Sequence, residues 1–213
     1  MGLAAMPVGL IIGGLVCGLS LDTCLWQNIP IFALSLLLLV GLWKIPHQMV
    51  KGFCAAAEGI KCVITVGLVL AAAETLTGWN PVPGMAPIGE ALSVVGSVGV
   101  VMLGSLPMAE LLCRALERPF RWLGGKLGMN AQSMTGMLVG LVTALPALSS
   151  YDKMDKRGKV TAGAFLVSGT SLLAAHLGFV VSTEPDLLGA LIAAKLSGAM
   201  AAATLAIWVQ RKA

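Results

Sequence analysis

The sequence predicts an all-α integral membrane protein: a polytopic helical bundle of about six transmembrane helices plus one re-entrant broken-helix hairpin near residues 129–150. Three observations predict it. Apolar residues make up 57% of the 213-residue chain and charged residues only 11%, well under the quarter of a soluble domain. The apolar residues lie in long continuous runs, which excludes the short alternating strands of an outer-membrane barrel. The basic residues fall in short loops between those runs, so the net charge of +4 reads as membrane topology and not as a nucleic-acid surface.

In chain order, residues 3–21 form a first span and lack the basic leader of a signal peptide. Asp22 and Trp26 mark a short acidic loop. Residues 29–45 are a second span, with Pro30 in its first turn, where a missing N–H is tolerated. Trp43, Lys44, His47 and Lys51 follow at a boundary. Residues 53–77 are a third span; Glu58 and Lys61, three apart on one face, form a boundary ion pair. The loop 78–90 is rich in Pro and Gly and carries no Lys or Arg. Residues 88–112 are a fourth span, and 113–128, with Arg114, Arg118, Arg121, Lys126 and Trp122, suit an interfacial amphipathic helix. Residues 160–181 and 187–209 are the last two spans, joined by a turn carrying Glu184 and Asp186.

Residues 129–150 are apolar but interrupted by Pro146. If they crossed the membrane, the basic loops 113–128 and 151–159 would lie on opposite sides. If they dip in and return, every basic loop shares one face, and apart from Lys44 at the end of the second span only Lys61 and Lys195 of 14 basic residues lie within spans. The hairpin is therefore expected to be re-entrant, with its tip near Thr143–Pro146 and both termini cytoplasmic. Such backbone survives at depth only where protein or a water-filled cavity covers it.

Lys195 is the sharpest candidate for function, because a lysine at mid-span costs several kcal/mol unless it is paired or hydrated. Ser168, Thr170, Ser171 and Thr143 reach similar depth and His176 lies nearer the outer side; all are expected to line a polar path with it. For each there is a structural alternative: carbonyl-bonded lysine, satisfied core histidine, or hydroxyls bonded to their own helix. Asn130 is a further candidate contact, although a cap on the first half of the hairpin is its more natural role. Gly14-x-x-x-Gly18 and Gly136-x-x-x-Gly140 are candidate close-packing faces. The five scattered cysteines indicate neither disulfides nor a metal site and read as buried, inert thiols. No hydrolase elbow, zinc motif, P-loop or dinucleotide fingerprint occurs, so neither an enzyme nor a cofactor is expected.

The segments MDKRGKV (154–160), GAFLVSGTSLLAAHLGF (163–179) and AAKLSG (193–198) resemble the C-terminal half of the bacterial ethanolamine-utilisation permease family. The likeness extends through GSLPM (104–108), ERPFRWLGGKLGMN (117–130) and TGWNPVPG (77–84), and so covers nearly the whole chain. The resemblance implies a single transmembrane domain over 1–213 in a bacterial inner membrane. It implies a transporter or facilitator, or its C-terminal half, for a small polar amine such as ethanolamine. Its partners would be that substrate, the bilayer, and a second chain or the missing N-terminal half; homo-oligomerisation is also open. Where the family shows Asn-Asn-Ile-Pro this chain has Thr143-Ala144-Leu145-Pro146, and where it shows Gly-Asp this chain has Ala174-Ala175. Loss of those polar groups leaves a non-transporting membrane subunit as the alternative.

Overall fold

A computed structural model describes residues 1–79, 82–84 and 87–212. Asn80, Pro81, Met85 and Ala86 of the Pro/Gly-rich loop lie outside the described residues. Nine α-helices follow one another among the described residues: α1 (Gly2–Val16), α2 (Leu21–Lys44), α3 (Pro46–Thr77), α4 (Ile88–Leu127), α5 (Ala131–Val142), α6 (Ala144–Ser149), α7 (Lys156–Gly169), α8 (Leu177–Thr183) and α9 (Leu188–Lys212). A π-helical turn, Leu172–His176, joins α7 to α8.

Five helical stretches are long and apolar enough to cross a membrane: Leu21–Lys44, Pro46–Thr77, Ile88–Leu127, Lys156–Thr183 and Pro185–Arg211. The expected first span is shorter than predicted. α1 has 15 residues and reaches about 22 Å, less than the ~30 Å of a hydrocarbon core. The chain leaves the helix at Cys17 and Gly18, the latter at φ +81°. Ser20 then starts α2 by accepting a hydrogen bond from the Thr23 N–H. The separate interfacial helix expected over 113–128 is the continuation of α4, which runs unbroken for 40 residues to an αL cap at Gly128. Pro107 and Pro119 lie inside it.

The packed centre is made by α1, α5, α7 and α9, with α4 against α5 and α8. α1 and α9 run antiparallel and touch through small residues. A Cβ on Gly9 would stand 2.3 Å from the Ala194 carbonyl oxygen and 3.0 Å from Gly198 Cα, and one on Gly13 would meet the Ala194 Cβ at 2.7 Å. The close-packing pair on this helix is thus Gly9/Gly13, one register from the Gly14/Gly18 pair the sequence offers. Gly14 faces Cys24 of α2, and Gly18 sits in the turn with nothing within 4 Å of its would-be Cβ. Ala5, Ala164, Ala202 and Ala206 continue the seam between α1, α7 and α9. A larger apolar cluster, including Met134, Met137, Leu138, Leu141, Phe165, Leu166 and Leu172, fills the space between α5 and α7.

α3 differs from all of these. It buries no residue, and its contacts are limited ones with α2 and α4. Glu58 and Lys61 do pair on it, at 3.8 Å and largely exposed, but near the middle of the helix and not at the expected boundary, because Pro46 starts α3 seven residues before the expected span. Of the five free cysteines only Cys24 is buried; Cys17, Cys54 and Cys62 are exposed and Cys113 is half-buried, so the expectation of buried thiols holds at one position.

Candidate functional site

The hairpin forms as the sequence predicts, and its local chemistry explains how. Asn130 caps α5, its Oδ1 accepting from the Ser133 N–H at 2.9 Å and from the Ser133 hydroxyl at 2.6 Å. α5 ends at Thr143, whose backbone is extended (φ −154°, ψ 142°), and the six-residue α6 turns back along it. A Cβ on Gly140 would stand 3.5 Å from the Ala147 Cβ, and one on Gly136 3.6 Å from the Ser150 hydroxyl. The paired positions sum to a near-constant number, which is the signature of antiparallel neighbours. Gly136 and Gly140 are therefore a close-packing face, against α6, Met154 and Leu166.

The two ends of the hairpin are tied at its base. Asn130 Nδ2 donates to the Lys153 carbonyl and the Asn130 N–H to Asp155 Oδ1, both at 3.0 Å. The Ser133 hydroxyl also donates to Asp155 Oδ1, at 2.8 Å, while Asp155 Oδ2 accepts from the Gly158 N–H and caps α7. Partial burial acts to raise the Asp155 pKa, but the hydrogen bonds from Asn130, Ser133 and Gly158 outweigh it and hold the carboxyl below its ordinary range. Asn130 is thus a structural cap and tie. It lies at the hairpin base, about 15 Å along α5 from Gly140, and does not line the cleft described next.

A second helix break, which the sequence reading takes as an unbroken span over 160–181, meets the hairpin at depth. α7 stops at Gly169; Thr170 turns extended (ψ 145°) and Ser171 adopts the left-handed region (φ +56°), where a non-glycine residue is strained. The Ser171 N–H donates to the Gly140 carbonyl at 3.0 Å, so the break in α7 is joined to the last turn of α5. The Ser171 carbonyl accepts from the His176 N–H at 3.2 Å and lies 3.3 Å from its Nδ1. At about 1.5 Å per residue the break lies roughly 20 Å from the start of α7, near the middle of a bilayer-length helix.

Lys195 reaches this break from α9. Its Nζ donates to the Thr170 carbonyl at 2.7 Å and to the Ser168 carbonyl at 3.2 Å. These carbonyls belong to the end of α7, where the helix dipole is negative and helix bonding has stopped. The carbonyl bonding that the sequence allows for this lysine therefore occurs, on α7 and not at the hairpin tip. Beside it opens a cleft of about 350 Å³ lined by Ser168, Thr170, His176 and Lys195, with Met6 and Leu10 of α1 closing one wall. Among the described residues that line it none is acidic. Ser168 is only 8% exposed, and its hydroxyl and that of Thr170 are buried with no hydrogen-bond partner. Such orphaned hydroxyls are uncommon and mark a place where a ligand could bond.

Of the predicted residues, Ser168, Thr170, His176 and Lys195 thus share one cleft, and Ser171 is its backbone hinge. Thr143 is separate. It lines another cleft of about 390 Å³, on the α4 side of the hairpin, with Pro107, Glu110 and Cys113. Sequence reading missed Met6 and Leu10, which nothing polar marks. It also missed the break itself, although Ser168-Gly169-Thr170-Ser171, four poor helix formers in a row, was the available signal.

Five apolar helical stretches of bilayer length, one of them discontinuous, define a multi-pass membrane protein. Comparison with known proteins makes this specific: the family described as "Ethanolamine utilisation protein, EutH" matches residues 1–209, and the chain belongs to that family. It is 35% identical over 211 residues to the "Probable ethanolamine permease EutH" of Listeria monocytogenes, covering 99% of this chain and 57% of that protein. The protein of the same description from Escherichia coli is 34% identical over 234 residues, again covering 99% and 57%. The "Uncharacterized protein YxeR" of Bacillus subtilis is 32% identical over 209 residues, covering 98% and 56%. The chain therefore spans a little over half the length of the curated relatives it matches. No solved structure matches it.

Proposed function

We propose that this chain is a bacterial inner-membrane carrier, or one part of a carrier, that takes up a small primary amine, with ethanolamine as the natural substrate. The observation that carries this reading is the meeting of the α5 and α7 breaks beside a cleft lined by Ser168, Thr170, His176 and Lys195, with the Ser168 and Thr170 hydroxyls buried and unpartnered in its wall. Freed carbonyls and unpaired hydroxyls at mid-depth are what a small polar solute needs in place of its water. The names of the Listeria and Escherichia relatives support the substrate. Ser168, Thr170, His176 and Lys195 are the proposed substrate contacts, with Ser171 shaping the break and Thr143 facing a second approach from the α4 side. Nothing in this reading requires a covalent step, so the chain is not proposed as an enzyme.

The role of a partner follows from α3. Glu58 and Lys61 lie near the middle of a 32-residue apolar helix that buries nothing. Facing lipid, such a pair is expensive. We propose that this face is covered in the working protein by further membrane helices, from a second chain or from the part of the relatives' length that this chain does not span. Both termini are proposed to be cytoplasmic, on the charge distribution of the loops.

Uptake of radiolabelled ethanolamine at low external concentration and two pH values tests the reading. Cells would express this chain, Lys195→Ala, His176→Ala or an empty vector. Uptake above the vector that either substitution abolishes is the expected result. No uptake despite normal membrane insertion would overturn the reading as a self-sufficient carrier and leave the chain as one part of a carrier.

A further inference from the structure

The position of Lys195 creates a difficulty for any site that takes a cationic amine, and its geometry also resolves it. A fixed ammonium in the cleft would repel an ammonium ligand, and among the described residues none that lines the cleft is acidic and could offset both charges. Yet Lys195 does not project freely into the space. Its Nζ is held by the Thr170 and Ser168 carbonyls at 2.7 and 3.2 Å, at the negative end of a half-helix. Two of the three ammonium protons have carbonyl acceptors, and the hydroxyls of Ser168 and Thr170 stand unpartnered on the same two residues. A primary alkylammonium is what this seat already contains, attached to the protein through the lysine stem.

We propose that the carbonyls of Ser168 and Thr170 form a primary-alkylammonium site, and that Lys195 occupies it as a tethered surrogate which an incoming alkylammonium displaces. When no ligand is bound, the lysine satisfies the carbonyls that the α7 break leaves open. When ligand arrives, its N–H donors take over the carbonyls and the Lys195 head group swings into the open cleft on its flexible four-carbon stem. A ligand hydroxyl two carbons from the ammonium would then reach toward the Ser168 and Thr170 hydroxyls, which the seated lysine leaves unpartnered. The selectivity comes from donated hydrogen bonds, so a quaternary ammonium of equal charge is excluded. This deepens the carrier reading and rests on it only for the identity of the natural ligand.

Thermal unfolding of the purified full chain in detergent tests the proposal. The wild type, Lys195→Ala and Lys195→Met would each be titrated with methylammonium chloride. Tetramethylammonium and sodium chlorides at equal ionic strength serve as controls. Lys195→Ala is expected to unfold several degrees below the wild type in either control salt, and methylammonium is expected to restore it saturably. An attached competitor acts at an effective concentration on the order of millimolar, so the wild type should need about tenfold more methylammonium for half its shift. Lys195→Met keeps the stem without the charge and carries the same comparison if Lys195→Ala does not fold. Equal stabilisation by tetramethylammonium or sodium would overturn the proposal, as would half-shifts at the same concentration in wild type and variant, or no response in a folded variant. Methylammonium rescue without ethanolamine uptake would remove the reading of this chain as a self-sufficient ethanolamine carrier and leave this site standing; uptake without rescue would do the reverse.

Discussion

Gly9→Ala adds one methyl group at the place where α1 comes nearest to α9. The new Cβ would stand 2.3 Å from the Ala194 carbonyl oxygen, 3.0 Å from Gly198 Cα and 3.1 Å from Gly198 N. All three are backbone atoms, so no side chain can rotate away and the two helices must separate. Overpacking of this kind costs about 1–3 kcal/mol. On the scaling for a chain of 150–250 residues, this lowers the unfolding midpoint by roughly 2–12 °C. The same separation moves Met6 and Leu10 away from Lys195, so substrate uptake should fall with stability. Gly52→Ala is the control: nothing lies within 4 Å of its would-be Cβ on α3, and alanine is the better helix former by about 1 kcal/mol. Thermal unfolding of the three proteins in one detergent compares them. If Gly9→Ala unfolds at or above the midpoint of Gly52→Ala, the account of the α1–α9 contact is wrong.

The other predictions concern the hairpin and its break. Asp155→Ala removes the cap of α7 and the tie to Asn130 and Ser133, and should cost about 0.5–2 kcal/mol of stability. Because the folded Asp155 titrates below its ordinary value of 3.8, its contribution is complete above that value and is lost as pH falls through the folded pKa. Acid unfolding of the wild type should therefore show a component in that range that Asp155→Ala lacks; identical acid profiles would contradict this. Ser168→Ala removes a buried hydroxyl that has no partner, so stability should be unchanged or rise by up to about 1 kcal/mol while ethanolamine uptake drops. A Ser168→Ala protein that is less stable but transports normally would refute the assignment. Cysteines placed at 123 and 152 should be labelled from the same side of intact cells, since the hairpin returns to the end where it began; labelling of only one would contradict the topology.

Much of this fold can be read from the sequence, and the reasons are local. The long apolar runs and the Asn130 and Asp155 caps each act over a few residues, so α5 and the C-terminal end of α2 fall where expected. The Ser20 cap starts α2 at Leu21, so the expected acidic loop with Asp22 and Trp26 is helical, and the Asp155 cap starts α7 at Lys156, four residues before the expected span. The hairpin was legible because loop charge and Pro146 constrain the same segment. What stayed hidden depends on tertiary contact. The break at Ser171 exists because its N–H finds the Gly140 carbonyl, 31 positions away in the chain, and no periodicity encodes that pairing. The packing face of α1 was misplaced because Gly9, Gly13, Gly14 and Gly18 satisfy the same spacing rule twice, and only the position of α9 selects one pair. Lys195 stood out as a buried charge, but its partners could not be named before α7 was known to end at Gly169.

The central claim is that the Ser168 hydroxyl, buried and unpartnered at the α7 break, faces the path of a small amine. Ser168→Cys in a chain with its five native cysteines replaced tests it directly, using a small water-soluble thiol reagent with and without ethanolamine. The account predicts that Cys at 168 reacts and that ethanolamine slows the reaction, whereas tetramethylammonium at the same concentration does not. A thiol that never reacts in the folded protein, or one that reacts at the same rate with ethanolamine present, would contradict it.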